Sequence, residues 1–253
     1  MVFLQTCSVV PFTGRKQLNM LPESEVIAMS LTSYNEFMNE NPVSPDRSNA
    51  ELVRKVGSDI AASVTKYFNE NKLASRLEGY KWEFNLINDK TPNAWCMPGG
   101  KVVVYSGILP YTQDKNGLAV VISHEIAHAV ARHGNERMSQ QLLAQLGGMA
   151  LGEALKQKPA ETQAIFNTAF GVGAQVGVLL PFSREHELEA DKMGLIFMAM
   201  AGYDPNAAIS FWQRMSAIGG QKPPEFMSTH PSDEKRISKI KAAMPEVMKY
   251  YKN

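Results

Sequence analysis

Hydrophobic residues recur at helical spacing over most of the chain. Five of them form one face of a helix predicted over 48–76: Leu52, Val53, Val56, Ile60 and Val64. Further helices are predicted over 24–39, 118–130, 184–201 and 233–251, and another begins at Asp204 and Pro205. Strand-like runs at 82–87 and 101–105, with a turn at 98–100, predict a small sheet. The pattern therefore predicts a mostly helical α+β fold.

The chain shows no internal repeat and no low-complexity linker, so a single domain over 1–253 is the simplest prediction. Its start, 1–23, carries two prolines and a glycine and is predicted to be an irregular arm. The uncharged stretch 162–183 leaves two alternatives, a membrane span or a packed or flexible helical hairpin. Its polar residues, three glycines and proline favour the hairpin.

The composition of the chain limits the classes of function that it can have. Apolar residues make up 44% and charged residues 20%, which is typical of a soluble globular protein. The formal net charge of +1 and the lack of a basic run indicate no nucleic-acid partner. The two cysteines, Cys7 and Cys96, are too few for a disulfide framework or a cysteine-based zinc site.

Three ionisable residues interrupt the apolar run 118–130, which is predicted to be a buried helix ending near Gly134. They form the motif His124-Glu-x-x-His128, in which the histidines lie one helical turn apart and can bind one zinc ion. Glu125 can then act as general base on a water molecule that zinc acidifies. A chance match in a helix core is the alternative, but burying these groups unpartnered costs several kcal/mol.

The third ligand must come from elsewhere, because Ala131 and Gly134 stand where the extended metzincin motif needs glycine and histidine. Glu187 and Asp191 lie one turn apart on a later helix, next to the small residues at positions 190 and 194. Glu187 can bind the metal, and Asp191 can accept the spare N–H of a ligating histidine. Glu185 and Glu189 are expected to be solvated, and His133 and His186 to be structural or surface residues.

Several segments carry a resemblance to a known family. They are 11–18 (PFTGRKQL), 93–100 (NAWCMPGG), 124–133 (HEIAHAVARH), the E-x-x-x-D pair at Glu187 and Asp191, and the H-P…R motif at His230 and Arg236. In order and spacing the chain resembles the HtpX- and BepA-type zinc metallopeptidases, relatives of the CAAX prenyl endopeptidase in the gluzincin group. Unlike those types it shows neither a helical-repeat domain nor clear transmembrane helices, so it is most similar to a compact soluble or lipid-anchored member.

The resemblance implies that His230 and Arg236 lie near the metal. Either side chain could stabilise the oxyanion of the reaction. His230 could instead be a fourth ligand of the resting enzyme, or merely cap a helix before Pro231. The glycines and prolines of 219–231 predict that His230 lies on an irregular loop.

A substrate groove is predicted along 101–106, taken as an edge strand. An extended peptide can pair with the free backbone groups of such a strand. Gly99, Gly100, Val102 and Val104 are the expected substrate-binding residues.

The expected function is zinc-dependent cleavage of internal peptide bonds in unfolded or misfolded cell-envelope proteins, with one Zn²⁺ per chain. Two alternatives stay open, a non-catalytic zinc-stabilised protein that binds unfolded chains and a processing protease for one partner. The segment 4–7 resembles a lipobox with Thr6 at an unusual position, and is interpreted as part of a truncated lipoprotein signal. It predicts membrane attachment through a lipidated Cys7 and a periplasmic or envelope location; the alternative is an ordinary buried thiol.

Overall fold

The computed structural model describes residues 7–146, 160, 162, 164–165, 183–217, 225–230 and 234–251. Its strands are β1 Cys7–Val9, β2 Lys16–Leu18, β3 Glu83–Ile87, β4 Ala94–Met97 and β5 Lys101–Tyr105. Its helices are α1 Glu23–Glu40, α2 Arg47–Glu70, α3 Leu109–Thr112, α4 Lys115–Ala131, α5 His133–Leu146, α6 Arg184–Met200, α7 Ala207–Ser216, α8 Glu225–Thr229 and α9 Glu234–Val247. The predicted mostly helical α+β fold is confirmed.

The three-stranded sheet separates two helical layers. Its order is β3-β5-β4, with β3 parallel and β4 antiparallel to β5. Alternate side chains point to opposite faces. One face packs on α1 through Tyr34 and Val103, and the other packs on α2 and α4 through residues such as Val102 and Val104. The sheet thereby supports the long buried helix α4.

The prediction that 101–106 is an edge strand is wrong, because β5 is the middle strand of this sheet. The sequence missed β4, a strand of only four residues whose two central side chains are half-buried and break the alternating pattern. Gly99 and Gly100 have φ of +88° and +84° and turn the chain from β4 back onto β5. The edge of the sheet on this side is therefore β4.

Helix α4 is buried at every position from Gly117 to Ala131. Asp114 caps its first turn by accepting hydrogen bonds from the backbone N–H groups of Asn116 and Gly117. It ends at Arg132, which adopts a left-handed conformation with φ of +62°. Gly134 is therefore not the predicted C-cap, and α5 begins directly at His133.

The N-terminal arm is more regular than predicted. Strands β1 and β2 pair in antiparallel register, with a turn that includes Phe12 and Gly14 at positive φ. Val10 and Leu21 are buried, so the arm is packed against the rest of the chain. Helix α2 is shorter than predicted because Lys72, at φ +59°, follows its end and a 3₁₀ turn replaces its last residues.

The C-terminal helices lie close to their predicted positions. Helix α7 begins at Ala207 with Asn206 at its N-cap rather than Asp204, whose side chain instead accepts from the Asn206 N–H. Among the described helices none is long and apolar enough to cross a membrane. The alternatives for 162–183 fall almost wholly outside the described residues, and the single domain over 1–253 stays a prediction.

Candidate active site

Four buried side chains from distant parts of the chain converge on one point. His124 and His128 come from α4, Glu187 from α6, and His230 directly follows α8. The Nε2 atom of His124 lies 3.0 Å from His128 Nε2 and 3.2 Å from His230 Nδ1. The Glu187 carboxylate lies 3.0 Å from His230 Nδ1, 3.3 Å from His128 Nε2 and 3.4 Å from His124 Nε2. These four residues are called the cage below.

The cage has the dimensions of a tetrahedral metal site. Four ligand atoms at about 2.0–2.1 Å from a central zinc ion are separated from one another by about 3.3 Å. The separations given above span 3.0–3.4 Å. Three imidazole nitrogens and one carboxylate oxygen are ligands that zinc accepts, so the donor set fits as well as the spacing.

The protonation states of His128 and Glu187 also suit a bound cation. Burial holds the pKa of His128 well below its usual value, which keeps its imidazole neutral and its lone pair free to bind. Burial raises the pKa of Glu187, but His230 and Arg236 outweigh it, so the pKa lies well below the usual range. A neutral imidazole beside an ionised carboxylate is the protonation pattern of a metal site.

Asp191 lies where the sequence predicted a supporting carboxylate. Its Oδ1 is 3.1 Å from His124 Nδ1, so the His124 ring donates there and turns Nε2 towards the cage. Arg236 holds Asp191 with two hydrogen bonds of 2.7 and 2.8 Å and contacts Glu187 at 2.9 Å. Its guanidinium stacks 3.5 Å above Trp212, a residue that sequence reasoning missed. Arg236 thus contacts both carboxylates of the site, and its predicted role at the oxyanion stays a prediction.

His128 has an equivalent support that the sequence did not reveal. His133 Nδ1 lies 2.9 Å from His128 Nδ1, and His133 Nε2 lies 2.9 Å from Glu189 Oε2. The expectation that Glu189 is solvated is wrong, because it is 5% exposed, whereas Glu185 is exposed as predicted. His133 and His186 are both buried, so they are not surface residues. The one available signal was the position of His133 just beyond the motif.

Glu125 lies beside the cage and outside it. Its side chain is buried, and Oε1 has no hydrogen-bond partner among the described residues. The Nε2 atom of His230 lies 3.4 Å from Glu125 Oε1, which is too long for a strong hydrogen bond. Burial raises the pKa of the Glu125 carboxyl to about 7. A carboxylate with an unused acceptor and this pKa suits proton transfer near neutral pH.

The predicted substrate-binding residues lie on the middle strand of the sheet and in the turn before it. Val102 and Val104 are fully buried on the middle strand and have no free edge. A side chain at Gly100 would collide with Trp82, so this glycine serves the close packing of the turn. Burial raises the pKa of the Cys96 thiol on β4, and the Glu125 carboxylate raises it further. Of the two strands, β4 packs more extensively on α4 than β5 does.

A family model for Peptidase family M48 matches residues 58–244. The chain belongs to peptidase family M48. The predicted resemblance to zinc metallopeptidases is confirmed at the level of the family, and the relatives that match the chain are named as metalloendopeptidases or proteases.

Relatives within family M48 match well beyond the cage. The chain is 36% identical over 239 residues to the mitochondrial metalloendopeptidase OMA1 of Schizosaccharomyces pombe, covering 94% of this chain and 66% of that protein. It is 30% identical over 249 residues to the human mitochondrial metalloendopeptidase OMA1, covering 95% and 46%. It is 31% identical over 188 residues to the beta-barrel assembly-enhancing protease of Escherichia coli, covering 69% and 38%. The chain thus spans from about a third to two thirds of the length of these relatives.

Proposed function

We propose that this M48 metallopeptidase holds one zinc ion in the cage and hydrolyses internal peptide bonds of unfolded or misfolded proteins. The observation that carries the proposal is the cage itself, with ligand atoms 3.0–3.4 Å apart beside a buried carboxylate that has an unused oxygen. His124, His128 and Glu187 are the proposed permanent ligands. Zinc, when bound, supplies a Lewis acid that polarises the scissile carbonyl and acidifies water.

Glu125 is the proposed general base. It removes a proton from the attacking water as the new C–O bond forms at the carbonyl carbon. The same carboxyl then gives the proton to the amide nitrogen as the C–N bond breaks, so that Glu125 ends the cycle ionised. Its burial on α4 fixes its position relative to the cage.

His230 is the proposed fourth ligand of the resting enzyme. Its Nδ1 lies as close to His124 and Glu187 as the permanent ligands lie to one another. A catalytic site needs an open position, so His230 must leave the cage when substrate binds. Arg236 and Asp191 are proposed to position the ligands, because Arg236 is bound to the carboxylates of both Asp191 and Glu187.

The proposed substrate groove runs along β4. Its outer edge pairs with no strand in the described part of the chain, and an extended peptide can pair there through backbone groups. Recognition through backbone tolerates many sequences, which suits the cleavage of unfolded chains.

The proposed location is the cell envelope, with attachment through a lipidated Cys7. This rests on the lipobox-like segment 4–7 and on similarity to beta-barrel assembly-enhancing proteases. Relatives named as mitochondrial enzymes offer another compartment. Cell fractionation, with mass measurement of the mature N-terminus, separates the two.

The decisive experiment digests an unfolded model protein with the wild type and with Glu125→Gln. The substitution keeps the side-chain shape and removes the base, so zinc content should stay at one per chain while the rate falls by at least ~10²-fold. Asn116→Gln, at the start of the same helix, is the control and should retain full activity. A wild type that binds zinc but leaves the protein uncut would indicate a non-catalytic binding protein. Cleavage confined to one native partner would indicate a processing protease.

A further inference from the structure

A continuous series of contacts links the N-terminal arm to the metal cage. Arg15, in the turn between β1 and β2, donates from Nε to Glu189 Oε2 at 2.9 Å. Glu189 lies 2.9 Å from His133 Nε2, and His133 Nδ1 lies 2.9 Å from His128 Nδ1. His128 belongs to the cage. Residues Arg15, Glu189 and His133 are called the arm relay below.

Only one arrangement of the protons in the arm relay leaves His128 able to bind a metal ion. His128 directs Nε2 into the cage, so for metal binding that nitrogen carries the lone pair and Nδ1 carries the proton. His133 Nδ1 must then accept, which leaves the His133 proton on Nε2, where it is donated to the Glu189 carboxylate. The Glu189 oxygen that faces His133 Nε2 therefore selects the tautomer of His133, and His133 selects that of His128.

Arg15 provides the positive charge that orients the Glu189 carboxylate. Arg15 also makes two hydrogen bonds of 2.8 and 2.7 Å to Glu136, so one guanidinium joins two carboxylates from α5 and α6. The side chains of Glu136 and Glu189 are 7% and 4% exposed, and that of Arg15 is 17% exposed. Without the cation, two carboxylates shielded from water would repel each other.

The arm is fixed well enough to serve this purpose. Gln17 donates to the carbonyl oxygen of Ala131 at 2.8 Å, at the end of α4, and to Glu136 at 3.2 Å. The backbone N–H of Met20 donates to Ser139 on α5 at 2.8 Å. Thr13 donates to the second oxygen of Glu189. The arm therefore contacts the metal-binding helix, the helix after it and the arm relay.

We propose that Arg15 is a positioning residue of the metal site, acting on His128 through Glu189 and His133. The arm lies outside residues 58–244, the part matched by the family model, so the catalytic domain of this chain includes a segment that precedes the matched region. The proposal rests on the proposed zinc site and extends it to a residue that does not touch the metal.

The test measures the zinc affinity of folded protein by competition with a chromophoric chelator. Arg15→Gln should weaken zinc binding on the order of 10-fold, at the lower end of the range for residues that support a ligand. Arg15→Lys should restore part of the affinity, because lysine keeps the charge but cannot join both carboxylates with a rigid fork. The visible spectrum of the Co²⁺-substituted protein should change in Arg15→Gln, because it reports ligand geometry.

A double-mutant cycle shows whether Arg15 acts through His133. His133→Leu should weaken zinc binding by about 10–100-fold, and adding Arg15→Gln should weaken it no further. Glu189→Met replaces His133→Leu if that variant fails to fold. Additive losses, or an Arg15→Gln variant with wild-type zinc affinity, would overturn the proposal.

Val10→Ala is the control for general destabilisation of the arm. Val10 is fully buried and bonds to Arg15 through its backbone, by an N–H···O bond of 2.8 Å that alanine retains. Its truncation should lower the melting temperature without altering zinc affinity or the Co²⁺ spectrum. Equal losses of zinc affinity in Val10→Ala and Arg15→Gln would also refute the relay. Because all readouts are taken without substrate, an inactive but zinc-binding protein would contradict the proposed function and leave this test intact.

Discussion

At the scale of single residues, His230 is held differently from the rest of the cage. His124, His128 and Glu187 project from helices of 17 residues that are buried along most of their length. His230 follows a helix of five residues, to which it is tied by a backbone hydrogen bond of 2.8 Å to Phe226. Short elements rearrange at lower free-energy cost than long buried ones, so His230 is the ligand that can withdraw.

Replacing His230 with alanine should therefore open the metal site. We expect a higher initial rate on an unfolded substrate, or the loss of an initial lag, because water can take the fourth position. Zinc affinity should fall, since one of four ligands is lost. Stopped-flow cleavage of a quenched fluorescent peptide measures the rate, and chelator competition measures the affinity.

Thr229→Ala, one residue earlier in the same turn, is the matched control and should change neither quantity. The opposite change in rate would assign a different role to His230. A rate loss of about 10²–10³-fold with unchanged zinc affinity would assign His230 to oxyanion stabilisation.

The sequence predicted those site residues whose geometry is local. His124 with His128, and Glu187 with Asp191, are each one helical turn apart, and helix geometry alone brings such pairs together. The supporting residues His133 and Glu189 depend on how the arm packs, which no spacing reveals. Glu189 was misjudged for this reason, since its partner Arg15 is 174 positions away.

At the scale of elements, the close contact between α4 and α6 depends on Gly194. A β-carbon at this position would lie 3.0 Å from the backbone nitrogen of His124 and 3.1 Å from its Cα. Backbone atoms of a buried helix cannot move aside as a flexible side chain can. The absence of a side chain at Gly194 therefore sets the distance between the helices that carry the histidines and the carboxylate of the cage.

Gly194→Ala should destabilise the protein despite the higher helix propensity of alanine. Propensity alone would stabilise by about 1 kcal/mol, but overpacking typically costs about 1–3 kcal/mol. Zinc affinity should fall as well, because His124 is pushed away from Glu187. Urea denaturation and chelator competition measure the two effects.

Glu185→Ala, at an exposed position of the same helix, controls for propensity and should change stability by less than about 0.5 kcal/mol. A stabilised Gly194→Ala variant would mean that α4 and α6 can separate freely.

The elements themselves were predictable where the pattern is long and regular. Helix α6 and strand β5 lie at their predicted positions, because many residues contribute to each pattern. Strand β4 was missed, and with it the true edge of the sheet, because four residues with half-buried side chains give too little alternation. The hairpin of the arm was missed for the same reason, because its strands of three residues are too short to show an alternating pattern.

At the scale of the whole molecule, the ion pair between Arg15 and Glu136 ties the start of the chain to α5. Burial raises the pKa of Glu136, but hydrogen bonds from Arg15 and His186 outweigh it and hold the pKa well below its ordinary value of 4.5. A carboxyl whose pKa is lower in the folded state stabilises the fold above its unfolded pKa. The stabilisation is lost as the pH falls from about 4.5 towards the folded pKa.

The free energy of unfolding of the wild type should therefore exceed that of Glu136→Gln at pH 6, and the difference should shrink as the pH falls below about 4.5. Urea denaturation at a series of pH values, with zinc removed from both proteins, measures this difference. Glu51→Gln, at an exposed position, is the control and should show no such trend. A difference that stays constant down to pH 3 would mean that the pair does not stabilise the fold.

Removal of the metal tests how much the cage contributes to the stability of the fold, because the cage joins α4, α6 and the residue after α8. Zinc at 100 times its dissociation constant should stabilise the fold by about 2.7 kcal/mol. For a chain of this size that corresponds to a melting temperature roughly 5–10 °C lower once a chelator is added. The apo-protein should remain folded, because Glu187 keeps its 2.9 Å contact with Arg236.

Calorimetry with and without chelator measures the shift, and two variants make it specific to the cage. His124→Ala should show no chelator effect at the same zinc concentration, because it lacks a ligand. Glu125→Gln should keep the full shift, because Glu125 lies outside the cage and contributes to the reaction alone. An unchanged melting temperature in the wild type would mean that the four side chains do not bind the ion. A lost shift in Glu125→Gln would place that carboxylate among the ligands and remove it as the general base.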